Sequence, residues 1–410
     1  MPGGPEQGEG ANAILPPHPL PSPFMWGIGT AGHAPLLWFP SFCLGTGLSA
    51  KLPLGGRDDS FTTEFASSLG GAQAQLGLQM RSQAGAWERE GIKWGRGQGS
   101  LIPDPLPHSI SSQRHGGNGV EGRVAIFTAD DFGLSSALND AVALAHRGGV
   151  LRCASLMPGA PAAGEALALA RRLPSLCVGV HLTLCQGRPV LPPEAVPDLV
   201  DGAGAFPRHP AATGWRYFAR PGLVPQIRRE FAAQIETVWQ AGVRPWFLNS
   251  HLNLHLHPRL FPLVVELARQ YDIPAVRLVR EDWRVSLKAG AGRPLAAVLT
   301  GLTFALLSRR ARRLARAAGL LVNDHLFGLL HDGEMTEAYL LALLPRLQPG
   351  VTEIYSHPAL YADPQLLAAA PRYRRAEELW ALLSPRLQAD LARRSIGVSD
   401  FRSLARQHLR

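Results

Sequence analysis

The sequence predicts an α/β fold: a (β/α) TIM-like barrel of irregular or incomplete form over residues 123–410, behind a low-complexity, disordered extension of residues 1–122. Three observations predict it. Short apolar strands without polar alternation recur between helical stretches, the pattern of a parallel sheet covered on both faces. Six or so such units share roughly 290 residues, which favours a barrel over an open doubly wound sheet. No G-x-G-x-x-G follows the first strand, which argues against a dinucleotide site.

The elements follow in order. Val124–Thr128 is an apolar run ending in Ala129-Asp130-Asp131-Phe132-Gly133, a buried strand entering a loop. Ser135 or Ser136 caps the next helix, which carries Leu138, Val142, Leu144 and Ala145 and stops at Gly148-Gly149. Leu151–Met157 is a strand, a helix follows Pro161 to about Arg172, and Val178–Leu182 is the third strand. A Pro/Gly loop leads to a helix over Val224–Gln240, closed by Gly242. Trp246–Ser250 is a strand, and Pro258 sits at a helix start, where its missing N–H costs nothing. Ala275–Val279 is a further strand, followed by an Arg-rich helix over Leu295–Ala318 and the segment Val322–Leu330. Glu334–Leu347 reads as helix and Val351–Ser356 as strand.

Residues 1–122 differ in kind. Gly, Pro, Ser and Gln dominate and no apolar period appears, so the tract cannot bury enough surface to offset its chain entropy. A start codon placed too far upstream would produce the same text. Through Gly122 the chain carries seven Lys/Arg and nine Asp/Glu; the remainder carries 34 and 23, so the predicted domain holds a net +11. Almost all of that is Arg, with Lys only at Lys51, Lys93 and Lys288, and Arg richness alone does not indicate nucleic-acid binding. Four Cys with no Cys-x-x-Cys exclude a disulfide scaffold and a zinc knuckle. The first twenty residues lack the basic and apolar regions of a secretory signal, and no apolar run reaches the 18 or so residues of a membrane span. A cytoplasmic protein with reduced, mostly buried thiols is the expected setting.

Four polar clusters fall at predicted strand ends: Asp130-Asp131, His181, the run His251, Asn253, His255 and His257, and Tyr355-Ser356-His357-Pro358. In parallel α/β folds those ends share one rim, so side chains far apart in sequence converge there. In an extended chain, His251, Asn253, His255 and His257 would form one stripe, with Leu252, Leu254 and Leu256 behind it. Imidazole and carboxylate together suit zinc, or a harder ion such as magnesium if water completes the shell. Such an ion polarises a carbonyl and acidifies bound water, leaving a second carboxylate as general base. Two adjacent carboxylates should not both carry charge without a cation nearby.

The segments Thr128–Gly133, Gly179–Thr183, Asn249–His255 and Ser356–Pro358 resemble, in order and spacing, the YdjC/ChbG-type carbohydrate deacetylases. Val322–Gly328 and the Arg-rich helix before it are most similar to the hopanoid-associated HpnK subgroup. The resemblance implies a TIM-like barrel that removes the acetyl group of an N-acetylglucosamine-type sugar with a divalent cation, Mg2+ or Zn2+. It implies Asp131, His181 and His251 as metal ligands, Asp130 as base, and His357 or His255 as the group that protonates the amine. One departure stands out: many members have Asp before the Ser-His, and here it is Asn249, which cannot accept a proton.

The subgroup would attach the sugar to a hopanoid lipid, and the apolar Leu295–Leu307 followed by Arg309, Arg310, Arg312, Arg313 and Arg316 could meet an anionic membrane. The expected partners are therefore an N-acetylated sugar or glycolipid, a peripheral membrane contact and a second copy as a homodimer, with no nucleic acid. Two other readings compete: a different metal-dependent hydrolase, a phosphoesterase or amidohydrolase, and a non-catalytic basic membrane-associated protein. The second predicts salt-sensitive binding without metal, and imidazoles clustered at strand ends count against it.

Overall fold

The computed structural model describes residues 94–97, 100–103, 122–292 and 294–408. Most of the predicted extension lies outside the described residues; within it, Trp94–Gly97 pairs antiparallel with Ser100–Pro103. The main sheet is built from β1 (Arg123–Phe132), β2 (Cys153–Leu156), β3 (Cys177–Leu182), β4 (Phe247–Ser250), β5 (Ala275–Val276), β6 (His325–Phe327), β7 (Gly350–Ser356) and β8 (Ile396–Val398). All pair in parallel, in the order β5-β4-β3-β2-β1-β7-β6. That order is the chain order bent around on itself. A single bridge, Ala275 to Leu321, with the Val276 N–H to Leu321 carbonyl bond at 3.0 Å, ties the β5 edge to the segment entering β6. The sheet is thus a seven-stranded, TIM-like ring with one thin seam, and β8 pairs with the first residues of β1.

Helices cover the outside: α1 (Ser136–Gly148), α2 (Ala163–Arg172), α3 (Pro210–Ala219), α4 (Val224–Gln240), α5 (Phe261–Gln270), α6 (Trp283–Ala289), α7 (Pro294–Ala317), α8 (Glu337–Leu343), α9 (Pro364–Ala369), α10 (Arg375–Leu383), α11 (Pro385–Arg393) and α12 (Phe401–His408). Ser135 caps α1 by accepting from the Leu138 N–H. On α4, Ile227, Phe231, Ile235 and Val238 form the buried stripe that the 3.6-residue period requires. Strands β2, β3 and β4 are buried at every position, which is why they read as unbroken apolar runs. At Gly179 a Cβ would lie 2.6 Å from the Phe247 ring, so the close approach of β3 to β4 needs a glycine there.

Three expectations change. The strand read as Ala275–Val279 ends at Val276, and the helix read from Glu334 begins at Glu337. The stripe of imidazoles does not form. His251–Leu256 is a tight 3-10 turn, and Leu252 (φ 57°) and Asn253 (φ 55°) both adopt the left-handed conformation. Alternation of side chains belongs to extended backbone only, and these two residues reverse the chain.

Candidate metal centre

Asp130 and Asp131 end β1, where the pairing with β2 shifts register between Ala129 and Phe132. Asp131 has φ +62°, a conformation costing a non-glycine residue about 1 kcal/mol. The irregularity turns both carboxylates into the buried mouth of the ring. His181 arrives from the end of β3, and His251 from the turn after β4. One ligand atom from each of Asp131, His181 and His251 lies within 4.8 Å of the other two. Asp131 Oδ1 stands 3.0 Å from His251 Nδ1 and 3.3 Å from His181 Nε2, and the imidazoles meet edge to face at 5.6 Å.

Asn249 decides which nitrogen of His181 faces that carboxylate. Its Nδ2 donates to Asp130 Oδ1 at 3.3 Å, so its Oδ1 turns to His181 Nδ1 at 2.8 Å and can only accept. Neutral His181 therefore carries its proton on Nδ1 and presents the Nε2 lone pair to the Asp131 carboxylate. Two acceptors facing each other at 3.3 Å in a buried site require a proton or a cation between them. One carboxylate and two imidazoles with ligand atoms this close fit a divalent metal. An Asn at position 249 does the orienting without a charge. Asn249→Leu is expected to weaken metal binding by roughly 10- to 100-fold while the chain stays folded, checked by metal titration of the purified variant.

Titration follows from the same geometry. Burial alone would raise the carboxyl pKa of Asp131, but His251 and the hydrogen bonds from His181 and His251 hold it well below its usual range. Burial would lower His181, but the charges of Asp130 and Asp131 outweigh it and raise it. Without metal, the Nε2 proton is retained below that raised value. Metal must displace it, so apparent affinity should fall as pH drops through the His181 titration and binding should release a proton. Calorimetric metal titrations in buffers of different ionisation heat check this; pH-independent affinity with no proton released contradicts it.

Asp130 has its own cation. Arg277, fully buried just beyond β5, holds both Asp130 oxygens and donates to Glu353 through Nε at 3.1 Å and Nη2 at 2.8 Å. Thr128 Oγ1 donates to Glu353 at 2.8 Å, and Tyr355 lies under the guanidinium at 4.8 Å. Burial opposes the Asp130 charge, yet Arg277 and His181 keep its pKa below the ordinary 3.8. The carboxylate pair thus divides the work: Arg277 answers Asp130, and Asp131 alone is left facing imidazoles. Sequence reasoning missed Arg277 and Glu353. The available signal was a lone charge inside each apolar strand prediction.

The end of β7 brings in His357. Its Nε2 lies 4.0 Å from Asp131 Oδ2, and its buried Nδ1 faces Asp332 Oδ1 at 3.3 Å without a hydrogen bond closing between them. Tyr373 donates its hydroxyl to Asp332, and its ring lies 5.1 Å from that of His357. Glu378 accepts from the His357 N–H at 2.6 Å, and Arg375 donates to the His357 carbonyl at 3.0 Å. Asp332 and Tyr373 were not foreseen. His255, named as an alternative proton donor, is fully buried with both nitrogens committed, Nδ1 to Ser250 Oγ at 2.8 Å and Nε2 to the Arg277 carbonyl at 3.0 Å. Burial lowers its pKa to about 3, and no ring nitrogen is left for a substrate. His257 is buried against Phe218, away from the other imidazoles of its run.

The profile described as YdjC-like protein matches residues 124–393. The chain belongs to that family. A carbohydrate deacetylase of Geobacillus stearothermophilus is 32% identical over 281 residues, covering 68% of this chain and 97% of the relative. Another, from Thermoanaerobacter pseudethanolicus, is 31% identical and covers 62% of this chain and 87% of its own length. A crystal structure from Enterococcus faecalis, described as a cellobiose-phosphate cleavage protein, superposes with a TM-score of 0.55 at 28% identity, over 69% of this chain and 99% of that one. Asp130, Asp131, His181, His251 and His357 all lie within the matched residues 124–393.

Proposed function

We propose that this YdjC-like protein is a carbohydrate deacetylase that hydrolyses the N-acetyl group of an N-acetylglucosamine-type sugar with a divalent cation held by Asp131, His181 and His251. The observation that carries the reading is the Asp131–His181 pair, a carboxylate facing an imidazole whose Nε2 lone pair Asn249 turns toward it. Relatives of this chain are named carbohydrate deacetylases at 30–37% identity, which supports the enzyme class. A divalent cation at that point supplies a Lewis acid that polarises the acetyl carbonyl and makes water easier to deprotonate.

The chain's own groups do the rest. Asp130, kept ionised and oriented by Arg277 and Asn249, accepts the proton of the attacking water. His357 hands a proton to the departing amine from Nε2, the nitrogen turned toward Asp131. Burial holds His357 near pKa 4, so it is neutral in the free site and takes up in transit the proton that Asp130 removes from water; Asp332, which faces Nδ1 at 3.3 Å, is itself pushed up to about 8 by burial and is uncharged at neutral pH. His357→Ala is expected to lower kcat by about 100- to 10,000-fold with metal content retained. His255→Ala should instead lower thermal stability and leave kcat of the folded fraction within about tenfold. Equal kcat losses in the two variants would overturn this division.

The narrower form of the reading, a sugar carried on a hopanoid lipid, has the support of the resemblance to the HpnK subgroup and of the exposed leucines on α7. The deciding assay measures acetate release from N-acetylglucosamine, free and lipid-attached, with and without chelator, beside phosphate release from a phosphorylated sugar. Chelator-sensitive acetate release supports the proposal. Phosphate release without acetate assigns the chain to the phosphoesterases.

A further inference from the structure

Helix α7 carries two seams on opposite sides. Ala297, Gly301, Phe304, Ser308, Ala311 and Ala315 are buried and pack against α5, α6 and the turn that bears His251. On the far side Leu295, Leu299, Leu302 and Leu306 are 72%, 38%, 51% and 45% exposed. The same line continues through Arg309, Arg313 and Arg316, with Arg310 beside it, all exposed. The spacing alternates four and three residues throughout, so this is one face of the helix. At about 1.5 Å per residue the leucines span roughly 16 Å and the arginines about 10 Å more. The helix contains no Asp or Glu, and none of these four arginines forms an ion pair with another described residue. Arg312, off this line, is held by Asp324 at 3.0 Å.

The division of the seam selects its occupant. A second copy packed parallel would set arginine against arginine; packed antiparallel, arginine against leucine. Neither is complementary. An occupant must be apolar beside one half and anionic beside the other, and a bilayer of acidic lipid is both, its acyl layer lying beneath a plane of phosphates. Among the described residues no helix is long and apolar enough to cross a membrane; because the leucines and arginines share one face, the leucine end must tilt deeper than the arginine end. We propose that α7 docks the protein on an anionic membrane, with Leu295, Leu299, Leu302 and Leu306 in the acyl region and Arg309, Arg310, Arg313 and Arg316 at the phosphate level. This stands on α7 alone and is independent of the reaction assigned above.

The test is co-sedimentation of the full chain with vesicles of phosphatidylcholine alone and of phosphatidylcholine mixed with phosphatidylglycerol, across a salt series. Binding is expected on the mixed vesicles and should weaken as salt rises. R309Q/R310Q/R313Q should reduce partitioning to the mixed vesicles by roughly a hundredfold at low salt. Leu295→Ser/Leu302→Ser should abolish retention at high salt, and because both leucines are exposed, unfolding temperatures should match the parent. Absence of binding to the mixed vesicles overturns the proposal, as does binding that both variants leave intact. A dimer that Leu302→Ser dissociates, with no lipid binding, assigns the seam to a second copy instead.

Discussion

Asp131→Asn is expected to leave a folded protein that holds no metal and releases acetate at least about a thousandfold more slowly. The substitution preserves volume and removes the carboxylate that contacts both His181 and His251 and lies 4.0 Å from His357. The neighbouring carboxylate does not replace it, since Asp130 is held through both oxygens by the Arg277 guanidinium. Metal content by elemental analysis and acetate release by enzymatic assay are read together on the same sample. A variant with its full metal complement would remove Asp131 from the ligand set whatever its activity. Thermal unfolding of the chelated parent beside the variant separates the loss of metal from the loss of the Asp131–imidazole contacts, which the metal-free parent keeps.

Arg277→Met should have the largest effect on stability. The guanidinium is fully buried between two carboxylates, and removing it leaves Asp130 with only the Asn249 amide and Glu353 with only the Thr128 hydroxyl. Breaking a buried ion network from one side costs about 3–5 kcal/mol, on the order of 10 °C in unfolding temperature for a domain of this size. Adding Glu353→Gln removes one stranded charge and should restore part of the loss, which a double-mutant cycle measures. Additive losses would mean that Arg277 and Glu353 do not act together. The sign with pH follows. Asp130 titrates below 3.8 in the folded chain, so its contribution is complete above that value and lost as pH falls through the lower folded one. Arg277→Met should flatten that acid limb.

How legible all this was depended on whether the signal was local. The helix over Val224–Gln240 has those bounds in the structure because its buried stripe and its closing Gly242 lie within one window. Asp131, His181, His251 and His357 were reachable because strand ends in a parallel sheet share a rim, whatever their distance in sequence. The turn at His251–Leu256 was not: it depends on left-handed Leu252 and Asn253, and nothing in a leucine side chain favours that conformation. It sends His251 into the metal centre and His255 into the core under Arg277, so one motif supplies both a candidate ligand and a structural clamp. Asp332 and Tyr373 lay beyond reach for a different reason. They meet across 41 residues, and each alone reads as an ordinary polar residue.

X-ray absorption of zinc-loaded protein reads out whether Asp131, His181 and His251 hold the ion. A single zinc per chain, bound by two imidazole nitrogens at about 2.0–2.1 Å and carboxylate oxygen at about 2.0–2.2 Å, is the predicted spectrum, with one imidazole lost in His181→Ala. Zinc bound only through oxygen, or an imidazole count unchanged by that substitution, would contradict the account.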